Sequence, residues 1–253
     1  MTDPDAGSIP REDSMQIQVL PDASAVAREA ARAIAAEAQA AAAARGRFVL
    51  AVSGGKTPWQ MLRALADEDM PWHCTHVVQT DERIAPAGDA DRNLTHLRES
   101  LLERAPLPPA HIHAMPVEEA DTDDAARSYA RTLRELAGEP PVLDLAHLGL
   151  GTDGHTASLL PRDPVLDVAD RDVAVTGVYL TRRRMTLTYP VLNRSRRILW
   201  VVTGAEKAGM LERLRAGDLG IPAGRVRREQ ALVLADHAAA AGLDIGSLQR
   251  EVC

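Results

Sequence analysis

The chain has 253 residues, 45% hydrophobic but only 3% aromatic, so it can bury one sizeable core, built mainly from Leu, Val, Ile and Ala. A formal net charge of -7 argues against nucleic acid or an acidic membrane as the main partner, yet leaves room for a small phosphorylated ligand held by a few local cations. Two cysteines, Cys74 and Cys253, supply no disulfide framework, the first fourteen residues lack the apolar stretch of a secretion signal, and no run reaches membrane-spanning length, so a cytoplasmic protein is expected.

Residues 1–14, rich in Pro, Gly and charge, read as a disordered tail, and 15–253 as a single α/β domain. Met15 to Leu20 reads as a strand. The Ala-rich stretch Ala25 to Ala44 predicts a close-packing helix that stops before Gly46. Arg47 to Val52 predicts a buried strand. It runs into Ser53-Gly54-Gly55-Lys56-Thr57-Pro58 and a helix with Met61, Leu62 and Leu65 on one side, with Thr57 as the expected cap and Pro58 in the first position. A strand over Thr75 to Gln79 leads to Asp81-Glu82-Arg83. Helices are expected over Asn93 to Leu102 and Asp121 to Leu136, the second opened by acids and stopped by Gly138. The apolar run Val142 to Leu150 is followed by strands at Val173 to Val178, Met185 to Thr188, Arg197 to Val202 and Ala231 to Leu234. Strands alternating with helices predict a three-layer, Rossmann-like α/β fold: a mostly parallel sheet flanked by helices.

In such a sheet the strand ends lie on one edge, where ligands bind. At Ser53 to Pro58, paired glycines, exposed N–H groups, the positive end of a helix and Lys56 suit an anion. The spacing matches neither a Walker loop nor GxGxxG, which disfavours a nucleotide. Ala51 stands where a nucleophile elbow needs glycine, so Ser53 is expected to bond a phosphate rather than attack a carbonyl. In Gly149-Leu150-Gly151-Thr152-Asp153-Gly154-His155-Thr156 a strand stops in a glycine turn that presents an imidazole beside a carboxylate, a pairing suited to moving protons near neutral pH.

Lys207, just after Gly204, opposes the dipole of a helix start, which makes sense if an anion shares the site. In Arg182-Arg183-Arg184 only Arg184 adjoins a strand. Asp81-Glu82-Arg83 is either a solvated charged loop or a second polar cluster at a strand end. His73, Cys74 and His76, like His111 and His113, lack a complementary cluster at zinc spacing, so no metal site is expected. His96, His147 and His237 read as structural or surface residues.

Taken together, SGGKTP (Ser53 to Pro58), TDER (Thr80 to Arg83), Asn93-Leu94, GLGTDGHTASLLP (Gly149 to Pro161), RMTLTYPVLN (Arg184 to Asn193) and VVTGAEKA (Val201 to Ala208) resemble the 6-phosphogluconolactonases of the glucosamine-6-phosphate isomerase superfamily. The resemblance implies hydrolysis of 6-phospho-D-glucono-1,5-lactone in the oxidative pentose phosphate pathway, without a cofactor, by a monomer or homodimer. It makes His155 the general base, with Asp153, Asp81 and Arg83 in the catalytic group. Ser53, Gly54, Gly55, Lys56, Thr57, Asn93, Gly154, Thr156, Arg184 and Lys207 become the substrate and phosphate candidates. Lys56 departs from the small hydroxyl residue of many relatives. Two alternatives are an amino-sugar phosphate deaminase, whose extra acid after the histidine is missing here, and a non-catalytic sugar-phosphate sensor, whose N-terminal helix-turn-helix a fourteen-residue tail does not supply.

Overall fold

The computed structural model describes residues 15–244; the tail expected over residues 1–14 lies outside the described residues. Strand β1 (Gln16–Leu20) leads to α1 (Ala23–Arg45). Asp22 starts this helix by accepting the Ala25 amide at 2.8 Å, and Gly46, at φ 69°, ends it in the left-handed region. There follow β2 (Phe48–Val52), α2 (Lys56–Leu65), β3 (Thr75–Gln79), β4 (Asp81–Arg83), α3 (Asn93–Leu97), β5 (Ile112–His113), α4 (Thr122–Ala137) and β6 (Leu145–Leu148). The chain continues through β7 (Val173–Val175), β8 (Arg184–Leu187), α5 (Tyr189–Arg194), β9 (Arg197–Val202), α6 (Ala208–Arg215) and β10 (Ala231–Asp236).

Seven strands form one sheet in the order β1-β10-β9-β6-β2-β3-β5, and every pairing in it is parallel. From β2 the chain builds outward through β3 to β5. It then returns to the other side of β2 and builds outward again through β6, β9 and β10. The direction of growth therefore reverses between β2 and β6, and the loops leaving these strands diverge to open a crevice at their carboxyl ends.

Alternation along β2 divides the core. Phe48, Leu50 and Val52 face one layer, with Ile34 of α1 and Met61, Leu62 and Leu65 of α2. Val49 and Ala51 face the other, with Tyr129 and Leu133 of α4 and Trp200 of β9. The buried alanines of α1, among them Ala30, Ala31 and Ala38, let its backbone lie close to its neighbours, a solution suited to a chain poor in aromatics.

The segments Val173 to Val178 and Met185 to Thr188 do not join the parallel sheet. They contribute β7 and β8 to a separate antiparallel sheet ordered β4-β8-β7. Thr80 is the branch point: its amide still bonds the Val52 carbonyl of the parallel sheet at 3.0 Å, while its carbonyl accepts from the Leu187 amide at 2.7 Å. The next three residues then pair with β8, placing Arg83 opposite Arg184. Asp81-Glu82-Arg83 is thus a short strand rather than a solvated loop, and Glu82 is completely buried. The helix expected over Asn93 to Leu102 divides into α3 and a wider π-type turn over Arg98–Leu102.

Candidate active site

A cleft of about 590 Å³ opens where β2 and β6 diverge. Its floor begins at Ser53. The Ser53 amide donates to His147 Nδ1 on β6 at 3.2 Å, and its hydroxyl donates to the His147 carbonyl at 3.0 Å while lying 2.7 Å from Thr80 Oγ1. This hydroxyl therefore braces three adjacent strand ends. Because His147 Nδ1 accepts, its proton resides on the other ring nitrogen; burial pushes the imidazole down to about 3 and keeps it neutral.

Gly55, at φ +131°, turns the chain into α2 without a capping side chain. The helix starts at Lys56, so Thr57 is not its cap and Pro58 is its third residue rather than its first. The early glycine turn frees the Thr57 hydroxyl to bond Thr203 Oγ1 at 2.5 Å, across the cleft on the loop after β9. Among the described residues, the amides of Gly54, Gly55, Lys56 and Thr57 meet no acceptor, which leaves the positive end of α2 open to an anion.

The loop after β6 carries the imidazole. The Gly151 amide bonds the His155 carbonyl at 2.8 Å and the Gly154 amide bonds the Gly151 carbonyl at 3.0 Å, closing a tight turn. The ring lies directly over Gly151: a Cβ there would stand 2.2 Å from His155 Nδ1. Asp153 Oδ1 is 2.5 Å from His155 Nδ1 and also accepts the His155 amide at 3.1 Å. The hydrogen bond from His155 holds the Asp153 carboxyl well below the usual carboxylate range, so the acid is ionised. An ionised Asp153 accepts from Nδ1–H and leaves Nε2 as the proton acceptor.

Asp81, Arg83 and Asn93 form the third wall. Ser158, in the same loop as His155, donates to Asp81 Oδ2 at 2.6 Å. Asn93 donates to the Asp81 carbonyl at 2.9 Å and accepts from Arg83. Gly54 must be glycine here, since a Cβ would come within 2.0 Å of Asn93 Oδ1. Behind these residues, buried Glu82 accepts from the amides of Arg83, Asn93 and Leu94 at 2.8, 2.7 and 2.8 Å and pairs with buried Arg92 at 3.2 Å.

Four cations border the cleft: Lys56, Arg83, Arg184 and Lys207. Among the described residues, none has an ion-pair partner within 4.0 Å. Arg184 is buried and its Nε meets no acceptor; burial and the nearby Arg83 charge both disfavour its charged form. A buried guanidinium with no ion-pair partner within 4.0 Å, beside the half-buried and like-charged Arg83, suits an anionic ligand.

Ser53, Gly54, Gly55, Lys56, Thr57, Asp81, Arg83, Asn93, His155, Arg184 and Lys207 all border this one cleft. Asp153, Gly154 and Thr156 lie outside its lining; Asp153 orients His155, Gly154 packs against Ile221, and Thr156 is buried with an unpartnered hydroxyl. Ser158, Thr203 and Asp236 are not singled out by the motifs, whereas His147, expected to be structural or surface, is a buried strut beneath Ser53. Asp236, at the end of β10, accepts the Gly204 amide at 3.1 Å and so shapes the loop before Lys207. Asp236 stands two residues beyond the strand expected over Ala231 to Leu234, and an acid just past an apolar strand is the signal for it. A single histidine in an apolar strand reads as core, and His147 is completely buried in β6. His76, His111 and His113 gather away from the cleft, with His76 Nδ1 3.1 Å from His113 Nε2. Among the described residues no three His, Cys, Asp or Glu side chains are arranged to hold a metal ion, and no helix is long and apolar enough to cross a membrane.

Known proteins resemble this chain in sequence and in fold. A 6-phosphogluconolactonase of Nostoc sp. is 35% identical over 237 residues, covering 90% of this chain and 98% of its own. The crystal structure of a 6-phosphogluconolactonase from Thermotoga maritima matches with a TM-score of 0.78 at 27% identity, over 87% of this chain and 98% of that one. A monomeric glucosamine-6-phosphate deaminase matches with a TM-score of 0.79 at 19% identity, over 90% of this chain and 100% of that one, and so shares the fold. The model of the family described as glucosamine-6-phosphate isomerases/6-phosphogluconolactonase matches residues 21–234, and the chain belongs to that family.

Proposed function

We propose that this protein hydrolyses 6-phospho-D-glucono-1,5-lactone to 6-phosphogluconate in the oxidative pentose phosphate pathway, with His155 as the general base. The observation that carries the reading is the pairing of His155 Nδ1 with Asp153 Oδ1 at 2.5 Å, on a cleft that Lys56, Arg184 and Lys207 border without carboxylate partners. The phosphate binds among these cations and the open amides before α2, which anchors the sugar ring. His155 Nε2 takes a proton from water as its oxygen attacks the lactone carbonyl. The imidazolium then returns that proton to the ring oxygen as the carbon–oxygen bond breaks. Asp153 stabilises the transient imidazolium, and Arg83 offers positive charge to the developing oxyanion. The same reading makes the protein a cytoplasmic enzyme with one domain over residues 15–253, a monomer or homodimer.

Deamination of glucosamine 6-phosphate is disfavoured because Thr156-Ala157-Ser158-Leu159-Leu160-Pro161, after the histidine, contains no acid. The test is hydrolysis of freshly generated lactone by the native chain and by His155→Ala, expected to lower kcat by about 10²- to 10⁴-fold with phosphosugar affinity nearly kept. Undiminished turnover in that variant would remove His155 from the mechanism. Ammonia release from glucosamine 6-phosphate would favour the deaminase, and product binding without turnover the sensor.

A further inference from the structure

We propose that Tyr179 is a positioning residue that serves both halves of this site, its hydroxyl steadying Asp153 and its ring steadying Arg184. The inference rests on the lactonase reading and adds a residue that none of the six motifs contains. Tyr179 stands at the tip of the β7–β8 hairpin, between Val178 and Leu180, which are 71% and 81% exposed. Its own side chain turns inward and is only partly exposed.

The hydroxyl donates to Asp153 Oδ2 at 3.3 Å. Asp153 Oδ1 already takes both the ring and the amide of His155, so Tyr179 is the one donor to Oδ2 among the described residues. A carboxylate held through one oxygen can pivot about its own axis and carry the other off line. A donor on each oxygen prevents that. Partial burial and the Asp153 charge raise the Tyr179 pKa, which keeps the hydroxyl protonated and able to donate.

The ring face lies 5.0 Å from the guanidinium carbon of Arg184. A buried arginine could be steadied by a carboxylate, but the pair would then be neutral and unattractive to a phosphate. An aromatic face stabilises the cation and leaves its full charge for a ligand. The hairpin tip is itself anchored, because Arg182 pairs with Asp89 at 2.9 Å and Asp91 at 3.2 Å. The backbones of Tyr179 and Arg182 also bond each other around the turn, with Leu180 at φ 58°. Tyr179 is therefore presented from a fixed support.

The two contacts separate by substitution, because Tyr179→Phe deletes the hydroxyl and keeps the ring, whereas Tyr179→Leu deletes both. With the full chain and fresh lactone, Tyr179→Phe is expected to lower kcat about 3- to 10-fold with KM within about twofold, as for loss of a hydrogen bond to a charged group. Tyr179→Leu should show that loss plus a KM raised by about 3-fold or more. In an Asp153→Asn background, Tyr179→Phe should have no further effect on kcat, an outcome that a purely structural role would not produce. An unchanged kcat in Tyr179→Phe, or a loss persisting undiminished beside Asp153→Asn, would overturn the proposal while native turnover kept the lactonase reading intact. Absence of turnover by the native chain would remove both.

Discussion

Ser158 Oγ donates to Asp81 Oδ2 at 2.6 Å, a bond between residues 77 positions apart that ties the His155 loop to the start of β4. Both side chains are buried, so the bond is shielded from water. Ser158→Ala would leave a buried carboxylate oxygen without its donor, at a cost of about 1–3 kcal/mol in stability. A several-fold fall in kcat should accompany it as Asp81 relaxes. Urea unfolding and the lactone assay measure the two effects; a variant unchanged in both would show that the tie is dispensable.

Gly149 and Gly151 make an internal comparison. A Cβ at Gly151 would stand 2.2 Å from His155 Nδ1 and 2.7 Å from Asp153 Oδ1, whereas one at Gly149 meets nothing within 4 Å. Gly151→Ala must displace the imidazole, and misplacing a reacting group by about 1 Å costs on the order of 10²-fold in rate. Gly149→Ala should keep most activity. Equal activities in the two variants would separate catalysis from the seating of His155 over Gly151.

Arg184 places function and stability in opposition. Its guanidinium is buried, and the nearby Arg83 charge disfavours it further. Arg184→Met removes that cost while filling similar space, and should stabilise the fold by about 1–2 kcal/mol. It should also raise KM by about 10-fold or more through the lost charge-assisted bond to phosphate. A variant less stable than the native chain, with KM unchanged, would contradict both the burial cost and the phosphate role.

His147 gives a signature in pH. Burial holds its folded pKa at about 3, below the ordinary 6.5, so the unfolded chain takes a proton that the folded chain refuses. Stability from this residue is present above about pH 6.5 and is lost as pH falls towards 3, by at most about 1.4 kcal/mol per pH unit. His147→Gln keeps an acceptor for the Ser53 amide and removes the titration. Its loss of stability between pH 7 and pH 5 should be smaller than the native chain's by up to about 2 kcal/mol. Equal losses would mean that His147 gains its proton within the fold.

Much of the architecture was legible because it follows from local pattern. The helix of α1 is bounded by Asp22 and Gly46, whose side-chain bond and left-handed turn act within one helical turn. Buried strands such as β2 and β9 announce themselves as apolar runs. The antiparallel sheet was not legible, because a strand's partner depends on where the chain leaves Thr80, not on the composition of β7 or β8. The start of α2 was placed two residues late, since Thr57-Pro58 imitates a cap while Gly55 has already made the turn.

For the site, sequence alone determined which chemical groups were present: an imidazole two residues from an acid, paired glycines before a helix, and cations near strand ends. Those follow from short-range rules of turns and charge, which act over a few residues. Tertiary structure decided their arrangement, because the reversal of strand growth between β2 and β6 brings Ser53, Asp81, His155, Arg184 and Lys207 to one cleft. It also decided the supporting roles of His147, Ser158, Tyr179 and Asp236, whose partners lie from 26 to 94 positions away in sequence. Contacts of that range are set by sheet order and packing, and leave no periodic trace in the chain itself.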